Sequence, residues 1–318
     1  MVAFLVRRSF GMIIVLLAVS FATYLIFFKI PGGDVAGRIA GKQATPANIA
    51  DIRQKLGLDQ NVFVQWWDMM KQLLTGSLIS YYDGTNVVQQ IKEGMPETFS
   101  LCIGAGIIWL GFGVLVGTIS AVTAGGASDR AITALALIGI SLPVAWLGLL
   151  LRYFFAGEGG AVAWFPDGGY VPLTTNPWQW FYHLLLPWFT LAILFIGFYG
   201  RVLRSNILDT INEDFVRTAK AKGLSSRRIL VKHTLRASLI PIVTLFGLDF
   251  AAVLGGGAII TETVYSIHGV GYYAAQSIHQ QDLPPLMGVT LYGAAFIVIF
   301  STLVDVAYAY LDPRIRLT

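Results

Sequence analysis

RVLRSNILDTINEDFVRTAKAKGLSSRRILVKHTLR, residues 201–236, gathers nine Lys and Arg between two apolar runs, in a chain of 318 residues that is 55% hydrophobic and 13% charged. Ordinary soluble domains carry about 25% charged residues, so lipid is the main solvent of this chain. A membrane span needs roughly 20 apolar residues to cross about 30 Å of hydrocarbon. Six stretches qualify: 10–28, a run within 98–128, 131–151, about 182–200 with Pro187, about 237–260 with Asp249, and 283–304. Arg7-Arg8-Ser9-Phe10 resembles a twin-arginine export core. The apolar run after it is longer than a signal-peptide core, and Lys29-Ile30-Pro31-Gly32 follows it in place of a small-residue cleavage site. An uncleaved first span is the better reading.

Positive charge marks short cytoplasmic loops. Segments 156–181 and 261–282 contain no Lys or Arg, whereas Arg7, Arg8, Arg130, Arg314 and Arg316 fall on the same side as the quoted loop. Both termini are therefore predicted to be cytosolic. Segment 31–97 carries Lys and Arg yet falls outside, as long translocated segments do. The net charge of +4 then carries no implication of nucleic acid binding, and the single Cys102 reads as an apolar filler of the second span. The expected organisation is an N-terminal span over 1–30, an extracytoplasmic segment over 31–97, and a transmembrane domain over 98–318.

Within the outer segment, Thr45-Pro46 followed by Ile49, Ile52, Arg53 and Leu56 predicts a short helix stopped at Gly57. A second is expected over about 61–74, with Val62, Trp66, Met69, Met70 and Leu73 on one stripe and Gly76 behind it. Trp66-Trp67 suits the headgroup level. These helices either pack on the membrane domain or bind an external partner.

The quoted loop places Asp209, Glu213 and Asp214 early and Arg227, Arg228 and Lys232 late, the order that complements a helix dipole. Gly223 interrupts it and Ser225 stands where a new helix would be capped, which predicts a helix, a glycine turn and a helix. Phe215, Val216, Ala219, Ala221 and Leu224 form an apolar set that a loop serving only topology or anionic lipid would not need. An exposed apolar knob rimmed by charge points to a protein partner.

The stretch from Asp214 to Ser225 resembles the importer loop of permease subunits of ATP-binding-cassette transporters for dipeptides and oligopeptides. Further matches are Leu56-Gly57-Leu58-Asp59-Gln60, Thr261-Glu262-Thr263-Val264-Tyr265, His268-Gly269-Val270-Gly271 and Leu311-Asp312-Pro313-Arg314-Ile315-Arg316. The chain departs from the wider importer pattern at Arg217-Thr218-Ala219, where that pattern has Glu-Ala-Ala, and at His233-Thr234-Leu235-Arg236; in the outer segment it has Gly76-Ser77 where relatives usually have Gly-Asp. The resemblance implies an all-α polytopic membrane protein with six transmembrane helices in a bacterial inner membrane, and a cytosolic coupling helix between the fourth and fifth. It implies a second homologous permease subunit, two cytosolic ATPase subunits that bind ATP and Mg, an extracytoplasmic substrate-binding protein, membrane lipid, and a peptide substrate; nickel or another small solute is the alternative cargo. The coupling loop would comprise Glu213, Asp214, Phe215, Val216, Arg217, Thr218, Ala219, Lys220, Ala221, Lys222, Gly223 and Leu224. Gly41-Lys42-Gln43 lacks the context of a phosphate loop, so no cofactor is expected in this chain.

Asp249 lies about twelve residues into the fifth span, roughly 18 Å deep. A carboxylate there either lines the pathway or is held by a neighbouring helix. Pro143 and Pro187 are expected to kink their helices. Gly255-Gly256-Gly257 before Glu262 is read either as a hinge or gate or as close helix packing, and Asp305 is expected to pair with Arg314 or Arg316. His183, His233, His268 and His279 show no metal-ligand spacing, and no nucleophile–base set appears. A secondary transporter would use Asp249 as an ion site within inverted repeats, and an intramembrane enzyme would need several polar groups at one depth. Neither pattern is present, so a transport permease rather than an enzyme is expected.

Overall fold

Apolar helices interrupted by glycine and proline build the chain, as lipid requires every backbone polar group to be satisfied within the protein. The computed structural model describes residues 2–29, 35–40, 45–55, 57–157 and 161–311. The first span is α1 (Val2–Tyr24), continued by a π-turn over Leu25–Lys29. Three shorter helices follow: α2 (Val35–Ala40), α3 (Pro46–Lys55) and α4 (Val62–Thr75). Both expected outer helices are present. Thr45 Oγ1 accepts from the Asn48 amide at 3.3 Å, Asn61 Oδ1 accepts from the Phe63 amide at 2.9 Å, and Gly76 closes α4 at φ +72°.

Helix α5 (Val87–Val122) starts eleven residues before position 98, where the uncharged run begins. Its first turns carry Lys92, Glu93 and Glu97, so reading for absence of charge cut the helix short. The third span departs further from expectation. Helices α6 (Ala127–Ser141) and α7 (Val144–Phe155) meet at 104°, a break rather than a kink. Proline disfavours the helical region for its predecessor, and Leu142 and Pro143 are both extended (ψ 127° and 132°). Pro187 by contrast sits inside α8 (Pro177–Thr210) without interrupting it. Among the described residues, five helices are long and apolar enough to cross a membrane, six if the broken α6–α7 pair is one span.

After α8 come α9 (Asp214–Ala221) and α10 (Ser226–Ile229), then a π-turn over Leu230–Thr234 into α11 (Leu235–Ala252). A second π-turn, Val253–Gly257, leads to α12 (Ile259–Val264), α13 (Val270–Gln280) and the last span α14 (Leu283–Leu311). The side chain of Asp305, residues 314 and 316, and Gly41-Lys42-Gln43 lie outside the described residues, so the expected Asp305 pair does too.

Helices α5 and α8 run parallel and touch through glycines. A Cβ on Gly104 would lie 2.0 Å from Trp188, and one on Gly117 would lie 2.7 Å from the Gly200 carbonyl. Such seams are how helices associate in lipid, where packing replaces the hydrophobic effect. The buried Trp109 indole stacks on Phe195 of α8 with centroids 4.4 Å apart and leans on Phe246 of α11 at 5.4 Å, joining three helices. A second core, including Tyr24, Met69, Met70, Val87, Val270 and Met287, ties α1, α4, α5, α13 and α14 at the end remote from residues 211–225. Substituting Gly117→Val is expected to lower the thermal midpoint of the detergent-solubilised protein, at a cost of about 1–3 kcal/mol. Gly111→Val, where a side chain meets nothing within 4 Å, should leave the midpoint unchanged in the same melt.

Candidate functional site

Helix α8 is 34 residues long, about 51 Å at 1.5 Å per residue, and so outruns the bilayer core by several turns. It ends at Thr210 rather than running on to Gly223, because residues 211–213 form a turn in which the Asn212 and Glu213 amides donate to Asp209 and Thr210. Glu213 is extended and Asp214 opens α9, placing acid at a helix N-terminus. After Ala221 the chain reverses at Gly223, φ +75°, with its amide donating to Lys220 O at 3.0 Å. No atom crowds a Cβ there, so the requirement for glycine is one of backbone conformation. Ser225 occupies the cap position of α10, yet its side chain makes no capping bond.

This knuckle has a core of its own. Val216 (0% exposed), Ala219 and Ile229 are buried together, with Ile211 and Leu224 packed against them. The expected exposed knob is thereby corrected. Most of its apolar set closes the knuckle, and only Phe215, 46% exposed, and Ala221 offer apolar surface. Arg217, Thr218, Lys220 and Lys222 surround them in solvent. Arg217 reaches Asp214 at 3.6 Å, but both are so exposed that this pair contributes little.

The base of the knuckle is fastened to the bundle. Ser238 Oγ on α11 donates to Thr210 Oγ1 at 3.0 Å, and Asn206 Nδ2 donates to Ser238 O at 3.4 Å. Arg204 donates through Nε and Nη2 to both oxygens of Asp129, each at 2.7 Å. Asp129 also accepts from Ser120 Oγ and from the Gly125 amide at 2.8 Å. One carboxylate therefore joins the ends of α5, α6 and α8.

Deeper in the bundle, Tyr199 of α8 donates to Asp249 Oδ2 at 2.7 Å. Asp249 is thus held by a neighbouring helix. Toward the far end, Gly256 leaves the helix at φ +146°, ψ −10°, while a Cβ on Gly293 of α14 would lie 2.2 Å from Gly255 O. The triple glycine accordingly combines a helix break with a close crossing. Beyond the break, Glu262 is fully buried. Its Oε1 accepts from Thr98 Oγ1 at 2.7 Å and its Oε2 from the Tyr272 amide at 2.8 Å. It is an internal anion site at the N-terminus of α13. Arg152 at the end of α7 donates to Val264 O at 2.6 Å and to Asp167 at 2.7 and 2.9 Å, closing this face and holding the Asp167 carboxyl below the usual range.

Residues 113–317 match the binding-protein-dependent transport system inner membrane component family, and residues 1–102 match the N-terminal region of the same membrane component. The chain belongs to this permease family. It is 35% identical over 314 residues to a probable peptide ABC transporter permease protein of Sinorhizobium fredii, covering 98% of this chain and 99% of that one. It is 33% identical over 337 residues to the dipeptide transport system permease protein DppB of Alkalihalophilus pseudofirmus, covering 99% and 100%. It is 32% identical over 320 residues to the oligopeptide transport system permease protein AppB of Bacillus subtilis, again covering 99% and 100%. As a binding-protein-dependent permease, the chain is a multi-pass bacterial inner-membrane transport component and not an enzyme.

In this permease the residues singled out by sequence fall into two groups. Residues Glu213 to Leu224 form one continuous knuckle. Asp249, Gly256 and Glu262 lie along the α11–α12 rod, and Pro143 sits at the α6–α7 break. The Asp129–Ser120–Arg204 clamp leaves no local signal in the sequence, since Asp129 lies 75 positions away from Arg204.

Two outcomes test this geometry. Asp249→Asn keeps an acceptor for Tyr199 and should preserve the melting midpoint, whereas Asp249→Leu leaves a buried hydroxyl unpaired and should cost about 1–3 kcal/mol in the same measurement. Burial pushes the Glu262 carboxyl from 4.5 up to about 7, against the pull of its hydrogen bonds. A group that holds its proton more tightly when folded contributes stability that is complete below its unfolded value and lost as pH rises through the folded one. The midpoint should therefore fall between pH 5 and pH 8, and Glu262→Gln should flatten that dependence.

Proposed function

We propose that this chain is the membrane-spanning subunit of an ATP-driven importer that carries peptides inward, and that residues Glu213 to Leu224 form its coupling helix. The observation that carries the proposal is the knuckle itself. Its exposed residues Phe215, Arg217, Thr218, Lys220, Ala221 and Lys222 take no part in the small core that holds its shape. A surface so stiffened and left open suits a partner's groove. The partners in this reading are a second homologous permease chain, two cytosolic ATPases that bind ATP and Mg, and an extracytoplasmic binding protein. Both termini and the knuckle lie in the cytosol, in keeping with the loops that lack Lys and Arg. Peptide is the cargo named for the relatives in S. fredii, A. pseudofirmus and B. subtilis.

In the mechanism, closure of the ATPases displaces α9. The Ser238–Thr210 and Arg204–Asp129 bonds pass that displacement to α11, α8 and the α5–α6 turn as one body. Helix α8 carries it across the bilayer as an unbroken rod, while the Gly256 and Pro143 breaks supply the pivots at which the pathway opens or shuts. Asp249 and Glu262 hold the moving helices in register along that pathway. ATP acts only through its different contacts in the two states.

The test is ATP-dependent uptake of a labelled dipeptide and tripeptide by vesicles holding this chain with its neighbouring-gene ATPases, partner permease and binding protein. Gly223→Val should leave the chain in the membrane and abolish most uptake. Undiminished uptake by that variant would overturn the coupling role, and ATP-driven uptake of nickel without peptide would overturn the cargo.

A further inference from the structure

Helix α4 has three sectors, read at about 100° per residue. The first faces the protein: Gln65 donates to Leu58 O at 2.9 Å and Gln60 O at 2.6 Å while accepting from Tyr24 Oη at 2.6 Å, and Trp66 Nε1 donates to Ser20 Oγ at 3.1 Å. The third sector is exposed and mostly polar, with Asp68, Lys71, Gln72 and Thr75 beside Val64. Between them Phe63, Trp67 and Leu74 are 64%, 56% and 76% exposed. These three lie within an arc of about 40°. Water would leave such a strip unsatisfied, and the protein core does not cover it.

The depth of the helix shows what does. Phe63 stacks on Phe21 of α1 with ring centroids 5.1 Å apart. Phe21 lies six residues inside the end of the Ser9–Phe27 span, about 9 Å at 1.5 Å per residue. Toward the other end of α4, Leu73 Cδ1 lies 3.7 Å from where a Cβ on Gly288 would stand. Gly288 is five residues inside the Leu283–Val304 span, about 8 Å. Both ends of α4 therefore pack within the outermost turns of the two spans, at the end remote from the knuckle. Interfacial helices bury an apolar face about 5–10 Å into the headgroup–acyl boundary.

We infer that α4 is a membrane-surface helix whose Phe63–Trp67–Leu74 strip rests on phospholipid acyl chains in the leaflet remote from the knuckle. The strip continues the lipid-facing surface of α1, where Leu17 and Ile26 are likewise exposed. The polar sector faces the headgroups, and the Lys71 stem reaches up past the strip toward phosphate. Through the Phe21 stack and the Trp66–Ser20 bond, α4 braces α1 against the bilayer surface.

The experiment places a nitroxide at one position at a time, using Trp67→Cys, Leu74→Cys and, on the polar sector, Gln72→Cys. The native Cys102 is buried and stays unlabelled. The permease, purified with its co-assembling subunits, is reconstituted in vesicles of phosphatidylethanolamine and phosphatidylglycerol, and collisions with oxygen are compared with those of a water-soluble nickel chelate. Lipid contact gives a several-fold preference for oxygen at 67 and 74, with the reverse at 72. Free access of the nickel chelate at 67 and 74 would mean a solvated helix, and shielding from both reagents there would mean a covering protein chain. Either result overturns the inference.

Discussion

Two glycines set the geometry of this protein. Gly117 on α5 and Gly200 on α8 stand so close that a single added carbon would strike a backbone carbonyl at 2.7 Å. In lipid there is no water to expel from between helices, so dispersion at short range must supply what the hydrophobic effect supplies elsewhere. The parallel α5–α8 pair is the frame to which other elements attach. Trp109 docks α11 onto it, Arg204 anchors the α5–α6 turn to it, and α8 runs on from it into the solvent-exposed knuckle.

Three carboxylates within or beside this frame have been given three different solutions to the cost of burial. Asp249 has one neutral phenol. Asp129 has a bidentate guanidinium, a hydroxyl and an amide. Glu262 has a hydroxyl and a helix-terminal amide, neither of them a cation. Burial raises the Glu262 carboxyl because these neutral donors do not fully offset its desolvation. Glu262 also lies beside the helix break at Gly256, where the backbone is least regular.

Much of this was legible in the sequence. Runs without charge located the spans, and Gly223 and Gly76 marked helix ends where they occur. Failures had physical causes. Hydropathy could not follow α5 through Lys92, Glu93 and Glu97, because a helix leaving the bilayer has no reason to end where the charges begin. Pro143 and Pro187 look alike in sequence, yet one accompanies a 104° turn and the other lies in an unbroken helix, and no local pattern distinguishes them. The apolar letters of the knuckle were visible, but whether Val216 and Ala219 point inward depends on Ile229, which returns from beyond the glycine turn. The Asp129–Arg204 clamp spans elements far apart in the chain and left no local signal.

The miniature core of the knuckle separates two duties that most surfaces must share. Val216, Ala219 and Ile229 keep its shape, while positions 215, 217, 218 and 220–222 carry almost no folding burden. Those outer letters are therefore free to change at little risk to the bundle behind: half a dozen exposed side chains can be rewritten while the transmembrane core stays as it is.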